Sequence, residues 1–457
     1  MNQHRFQPLD ITAGGFSITL IVVIAVVILA GTWEGVRVRL TGADGHGDLG
    51  PFSPIVLSFS EPVNQAAAQA LFSIQPNISG RIEWLNSKTF RFIPLKPLQP
   101  EINYHIALES GSLGSNLLVL RKKYSQIIHV RKPQIVYKAL INNKTQLWIM
   151  DTAGKSARQL GKFEKSIFNF DAAPNGEYII FSALNDNQGI DLWYLDRSGT
   201  SLRLLLNCGA DRCTTPAISP DSQQVVYTRE AAPLTPSLPT GAPRIRVVNV
   251  QNGEDHPLYA DPQIIGYGPG WSPDGKYITS YDGIQALIRV VAFQSGEQFN
   301  LQSATGDMPS WSPDSKTILF TDIAKDDTNR TWTEVEMANV DTGETSIWIG
   351  KNDDQDYQYG ELAWSPTSSD IVMGMRATPG LASRGLWLTQ PDVLGGPMFA
   401  NDPNYIFDAP KWDMWGTQLV FSQEEIRGEH KSVIELWSMG MRQPLTLAQG
   451  TSPHWLP

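Results

Sequence analysis

Charge is scarce in this 457-residue chain: Asp, Glu, Lys and Arg make up 18% of it, and no long basic run occurs. With a formal net charge of −10, the chain would repel a phosphate backbone, which argues against nucleic acid as a partner. Cysteine is scarcer still, with only Cys208 and Cys213, in NCGADRC. No Cys or His cluster stands beside them, so a zinc site is not expected, while a local disulfide and two free thiols both remain open. The seven histidines (His4, His46, His105, His129, His256, His430, His454) are scattered, with no two at metal-ligand spacing, so neither metal nor cofactor is expected. The Gly-x-Ser-x-Gly phrase of a nucleophile elbow is missing, and no catalytic role is expected.

Turn formers and aromatics are plentiful: 38 glycines, 31 prolines and 14 tryptophans. That mixture suits many short strands joined by turns, and predicts an all-β fold. One stretch breaks the pattern. Between Asp10 and Glu34 runs ITAGGFSITLIVVIAVVILAGTW, an uncharged segment of 23 residues, longer than the ~20 that a helix needs to cross a bilayer. The expectation is a tail over 1–10 and a transmembrane helix, or signal anchor, over 11–33, with the lipid bilayer as its partner. A cleaved signal peptide ending near Ile28 and Ala30 is the alternative. The anchor reading places a short N-terminal tail in the cytoplasm and the body outside it, at the cell surface or in the periplasm.

Residues 34–132 read as a β-sandwich. IVLSFS (Ile55 to Ser60), RIEWL, TFRFIP and NYHIAL alternate as half-buried strands, and AAAQALF (Ala66 to Phe72) supplies one helical turn. The phrases SPIVLSFSEPVN and TFRFIPLKPLQPEINYHIAL resemble the bacterial Ig-like domains of S-layer and other surface proteins, over about residues 48–130. That resemblance implies a spacer or adhesive unit. Asp44, His46 and Asp48 are read as part of a hydrophilic linker, and RKKYSQIIHVRKP (Arg121 to Pro133) as a hinge or last strand.

The remainder repeats. GWSPDGKYITSY begins at Gly270 and SWSPDSKTILFT at Ser310, with weaker copies around Ala172, Ile218, Trp364 and Trp412 and a closing PHWLP at Trp455. Spacings of 40 to 53 residues in an all-β chain predict propeller blades. In the phrase, serine caps, proline presets φ and glycine exits the turn; Pro273, Pro313 and Pro366 hold the proline place, and Asp274 and Asp314 the aspartate place. The tryptophans Trp271, Trp311, Trp364, Trp412 and Trp455 are expected to wedge between neighbouring blades. In WDMWG, around Trp412, the turn type is left open. PQIVYKAL, TQLWIMD and SARQL lack a first strand, and PHWLP is a first strand with nothing after it. Together they predict a strand-swapped closing blade and seven blades, with six or eight as alternatives.

These phrases resemble the TolB-like propeller with its Pro-x-Trp-Ser-Pro-Asp-Gly repeat, over residues 133–457. The family resemblance implies the fold and leaves the ligand open. Sialidase boxes have a different spacing. Asp221, Asp274 and Asp314 are read as turn residues, because Asn175 and Thr367 fill the same place. Loops between second and third strands vary widely and share one face with the blade-to-blade connections, so that face is the expected binding surface for a protein or glycan partner. Its candidate ligand residues are Asp353, Asp354, Asp356, Tyr357, Tyr359, Arg376 and Arg427.

Overall fold

The computed structural model describes residues 16–24, 35–41, 48–115, 118–235, 237–351, 356–378, 382–392 and 396–457. It divides into two compact units, Met1–Arg131 and Lys132–Pro457.

The transmembrane expectation is not upheld. Among the described residues no helix is long and apolar enough to cross a membrane. The described part of this segment, 16–24, is helical. The rest of 11–33, and the tail over 1–10, lie outside the described residues. The single-pass placement, the cytoplasmic tail with an exported body, and the bilayer as a partner are withdrawn with the helix.

In the first unit, two four-stranded sheets enclose one core. One has the order Val38–Thr41, Ile55–Phe59, Thr89–Pro94, Gly80–Asn86, and the other Asp48–Leu49, Tyr124–Val130, Tyr104–Leu108, Phe72–Gln75. Alternation selects the core: in TFRFIP, Phe90 and Phe92 point inward, joining Leu57, Ile106, Leu108 and Ile128. A short helix, Gln65–Leu71, is capped by Asn64, whose side chain accepts from the Ala67 N–H. Asp48 pairs with His129 in a parallel ladder, and Tyr124–Val130 is a strand.

Among the described residues the second unit holds seven four-stranded antiparallel blades, five as separate sheets and two joined into one eight-stranded sheet by the parallel bridge Ile190↔Arg212. Blades 1 to 6 follow in chain order, with inner strands Ile167–Ala172, Arg212–Ile218, Tyr267–Trp271, Ser310–Trp311, Asp356–Trp364 and Tyr405–Trp412. Blade 7 joins both ends of the unit: Thr451–Leu456 pairs with Gln134–Ile141, through Gln134↔Leu456, Ile135↔Trp455 and Val136↔His454.

Seven apolar clusters then close the ring, one between each pair of successive blades. Ile180 of blade 1 meets Tyr227 of blade 2, and Val226 of blade 2 meets Ile278 of blade 3. Ile288 meets Phe320, Leu319 meets Met373, and Val372 meets Leu419. Val420 of blade 6 meets Ile135 of blade 7, and Ile149 of blade 7 meets Ile179 of blade 1. Adjacent residues such as Leu419 and Val420 thus face opposite neighbours, which is why the second strands read as continuous apolar runs.

The repeated phrase locks this ring. The Ser272 hydroxyl donates to Asp274 Oδ1 (2.8 Å) and accepts from the Tyr277 N–H (2.9 Å), and Ser312 with Asp314 and Thr317 does the same. The Gly275 N–H closes the turn on the Ser272 carbonyl, with Gly275 at φ +72°. Serine takes that left-handed place in blade 4 (Ser315, φ +60°), and its hydroxyl accepts from the Asp274 N–H of blade 3. Ser222 accepts likewise from Asn175. The strain of a left-handed serine is therefore offset by a bond between blades. WDMWG keeps the turn: Gly416 (φ +67°) donates to the Asp413 carbonyl, and buried Asp413 accepts from Thr417 as serine does elsewhere. The indoles of Trp271, Trp412 and Trp455 donate to the carbonyls of Ala217, Ala363 and Lys411, each on the preceding blade. The Nε1 atoms of Trp311 and Trp364 are buried without an acceptor among the described residues.

Candidate functional site

In an antiparallel blade the turn between strands one and two lies at one end, and the turn between strands two and three at the other. One face of the ring therefore carries the short turns of the Ser-Pro-Asp-Gly type and their variants, and the opposite face carries the variable loops. Near that second face the inner strands bulge, with a residue in the left-handed region at Thr215, Gly268, Glu361, Ala409 and Ser452. A side chain on the neighbouring blade ties down the bulge: Thr228 Oγ1 accepts from the Gly268 N–H (3.1 Å), and Ser422 Oγ from the Ser452 N–H (3.0 Å).

Blade 5 solves the same problem differently, and a charged cluster results. Gly374, opposite Gly360, stands where Thr228 and Ser422 stand in their blades. With no hydroxyl available, Glu361 takes over: its Oε2 accepts from the Ala409 N–H of blade 6 (3.1 Å). Its Oε1 accepts from Arg384 Nη1 (3.1 Å). The glycines make room, since a Cβ on Gly374 would lie 2.7 Å from Arg384 Cδ, and one on Gly360 would lie 2.8 Å from Asp307 Oδ2.

Two carboxyls beside this pair carry charge that is poorly compensated. Burial, then the charge of Glu361, raises Asp307 above the usual carboxylate range. Burial and Glu361 push Asp408 up to about 6, against the opposing pull of Arg384. A cavity of about 200 Å³ opens here, lined by Thr305, Asp307, Gln358, Tyr359, Arg376 and Arg384. Arg376 Nε is buried there without an acceptor among the described residues.

Two of the expected ligand residues, Tyr359 and Arg376, thus share a cavity. Tyr357 stands beside Tyr359, ring centroids 6.2 Å apart. Asp356 opens the inner strand of blade 5. Asp353 and Asp354 lie outside the described residues. Arg427 is exposed on the blade 6 loop, and lines neither this cavity nor the larger one in that blade. Asp307, Glu361, Arg384 and Asp408 were not foreseen. Their only sequence signal is a charge imbalance: residues 307–435 hold 22 acidic and 9 basic residues, net −13, against +3 for the rest of the chain.

Elsewhere on the inner strands, His454 of blade 7 lies 3.0 Å from Asp171 of blade 1, whose second oxygen accepts from the Ile218 N–H of blade 2. Burial would raise this carboxyl, but the bonds from His454 and Ile218 hold it below its usual range. Asp221, Asp274 and Asp314 stay in their turns. Cys208 and Cys213 are joined in a disulfide, Cα atoms 6.3 Å apart. Among the described residues no group of three or more His, Cys, Asp or Glu could hold a metal ion.

No protein-family model matches this sequence, and no curated protein matches it either. Solved structures do. The puromycin-hydrolyzing peptidase of Mycobacterium tuberculosis is similar at 12% identity and a TM-score of 0.52, over 88% of this chain and 56% of that one. An oligogalacturonate lyase in complex with manganese is similar at 13% identity and 0.50, over 67% and 85%. TolB from Acinetobacter baumannii is similar at 15% and 0.43, over 87% and 88%. At such identities the likeness is one of fold alone: this all-β ring has TolB proteins and propeller enzymes alike among its structural neighbours.

Proposed function

We propose that this chain is a non-catalytic binding protein whose propeller (133–457) is a rigid ring holding a protein partner on its variable-loop face. The first unit (34–132), Ig-like in its phrases, is a spacer. The observation that carries the reading is the inequality of the two faces: short turns of closely similar build on one, and on the other loops of unequal length with apolar tips. Leu234 is 92% exposed and Ile284 81% exposed at such tips. A protein surface suits these mixed apolar and acidic features better than a glycan, which would draw on an aromatic platform that Tyr357 and Tyr359 supply only in part. Photo-crosslinking residues placed at Leu234 and Ile284 are expected to capture one protein in its native host. The same residues at Ser295 and Thr342, exposed in turns of the opposite face, are expected to capture none. Equal capture from both faces refutes the reading.

A second reading, catalysis at the ring's centre, draws on the raised carboxyls of Asp307 and Asp408. The manganese-bound lyase and the peptidase among the structural neighbours keep it in view. A substrate turned over by the native chain and not by Asp408→Asn would support it over the first.

A further inference from the structure

Blades 2, 3, 4 and 6 carry a charged residue at one recurring position of the third strand, defined by pairing with the ninth residue after the tryptophan place; Arg289 and Glu435 are buried there, Arg246 and Glu336 half-buried. In blade 2 it is Arg246, opposite Tyr227; in blade 3, Arg289, opposite Ser280; in blade 6, Glu435, opposite Phe421. Both arginines find their counterion within their own blade. Arg246 Nε lies 3.1 and 3.0 Å from the two oxygens of Asp255, and Arg289 Nη2 lies 2.7 Å from Asp282 Oδ2. A buried charge is tolerated on such terms.

Glu435 is 4% exposed and has no cation among the described residues. Its one bond is from the Thr446 hydroxyl to Oε1 (2.7 Å), and its second oxygen has no partner among the described residues. Instead of a counterion it faces a cavity of about 490 Å³ on the variable-loop side of blade 6. Tyr405, Gln423, Val433 and two further carboxylates, Glu425 and Glu429, complete the wall. The lysine there, Lys431, is already spent on Glu429 at 2.6 Å. Two carboxylates, one of them buried, are left without a positive charge, inside the three blades that hold the chain's acidic excess.

We infer that this cavity receives a primary alkylammonium, the side-chain end of a lysine on a protein partner, with its head between Glu435 and Glu425 and its stem against Val433 and Tyr405. The cation missing from blade 6 comes from the ligand. Burial raises the Glu435 carboxyl above its usual range, the state expected of an acid waiting for a counterion.

The inference rests on the variable-loop face being a binding surface, and the two fail separately. The test uses the full chain and titration calorimetry with Nα-acetyl-lysine amide, its neutral analogue Nα-acetyl-norleucine amide, and calcium chloride at matched ionic strength. Saturable binding of the lysine probe is expected, with none of the norleucine probe. Glu435→Gln keeps the shape and the Thr446 bond, and is expected to weaken binding by about tenfold or more, the scale of one buried charge-assisted contact. Glu425→Gln is expected to weaken it by less. Glu336→Gln, at the same position of blade 4, is expected to leave it unchanged. No saturable binding, equal loss in Glu336→Gln and Glu435→Gln, equal binding of norleucine, or calcium binding with the same Glu435 dependence would each overturn the assignment. Lysine-probe binding absent while cross-linking from Leu234 and Ile284 persists removes this cavity alone; loss of face-specific cross-linking removes the binding reading itself.

Discussion

Four tryptophans occupy one place in the repeat with comparable, partial burial, yet differ in a single bond. The indoles of Trp271 and Trp412 donate to the Ala217 and Ala363 carbonyls at 3.1 and 3.0 Å, whereas the Nε1 atoms of Trp311 and Trp364 are buried with no acceptor among the described residues. Replacing each by phenylalanine removes the same ring atoms, so the packing loss is roughly common to all four. The bond is not. In Trp271→Phe and Trp412→Phe an intramolecular hydrogen bond worth about 1 kcal/mol disappears, and a carbonyl is stranded between blades. In Trp311→Phe and Trp364→Phe a buried, unsatisfied donor disappears instead, which recovers about 1 kcal/mol or more of desolvation cost. The first pair should therefore be less stable than the second by about 2 kcal/mol. Guanidinium denaturation followed by far-ultraviolet circular dichroism reads this as a lower midpoint at unchanged slope, with the propeller transition fitted separately from that of the first unit. Equal losses in all four, or a larger loss in the second pair, would mean that the tryptophan acts by bulk alone and that the inter-blade bond contributes nothing.

Two further outcomes concern the charged cluster of blades 4 to 6. Asp408 titrates near 6 in the fold, above an unfolded value near 3.9, so its ionisation opposes folding, and the penalty grows as pH rises from about 4 to about 6. Asp408→Asn should stabilise the fold at pH 7.5 by about 1–2 kcal/mol after discounting the full shift for partial exposure, read as a higher melting temperature, and should match the parent below about pH 4. A pH-independent difference would refute the assignment. Glu361→Ala leaves the Ala409 N–H and Arg384 without their acceptor, and should cost about 2–3 kcal/mol in the same denaturation assay, while Glu361→Gln, which keeps an acceptor oxygen, should cost less than half of that.

What the sequence made legible is what depends on near neighbours. A Ser-Pro-Asp-Gly turn is set by four consecutive residues, so its copies could be counted without knowing the fold, and the lone strand PHWLP could be matched to a blade lacking its first strand. WDMWG was harder because Asp413 provides with a carboxylate what serine provides with a hydroxyl; the physical role is kept while the letter changes. The run over 11–33 misled for the opposite reason. It has the composition of a membrane span, and composition does not establish a helix long enough to cross, which the described residues do not contain.

The candidate site was hidden because its logic lies between strands. Arg384 and Glu361 are 23 residues apart and meet only because Gly374 vacates the place that a threonine or serine holds in other blades. Glu435 is ordinary in the sequence, and acquires meaning only when the register shows that its counterparts in blades 2 and 3 have counterions and it has none. The bonds that hold the ring are mostly neutral ones: indole to carbonyl, serine hydroxyl to amide, methyl against methyl. Charge is consequently free to vary from blade to blade without loosening the scaffold. Blades 4 to 6 use that freedom in one direction, accumulating carboxylates: burial raises Asp307, Asp408 and Glu435, and the charge of Glu361 adds to the first two. Such an accumulation weakens the fold at neutral pH, and binding of the proposed cationic partner on that side of the ring would offset that cost.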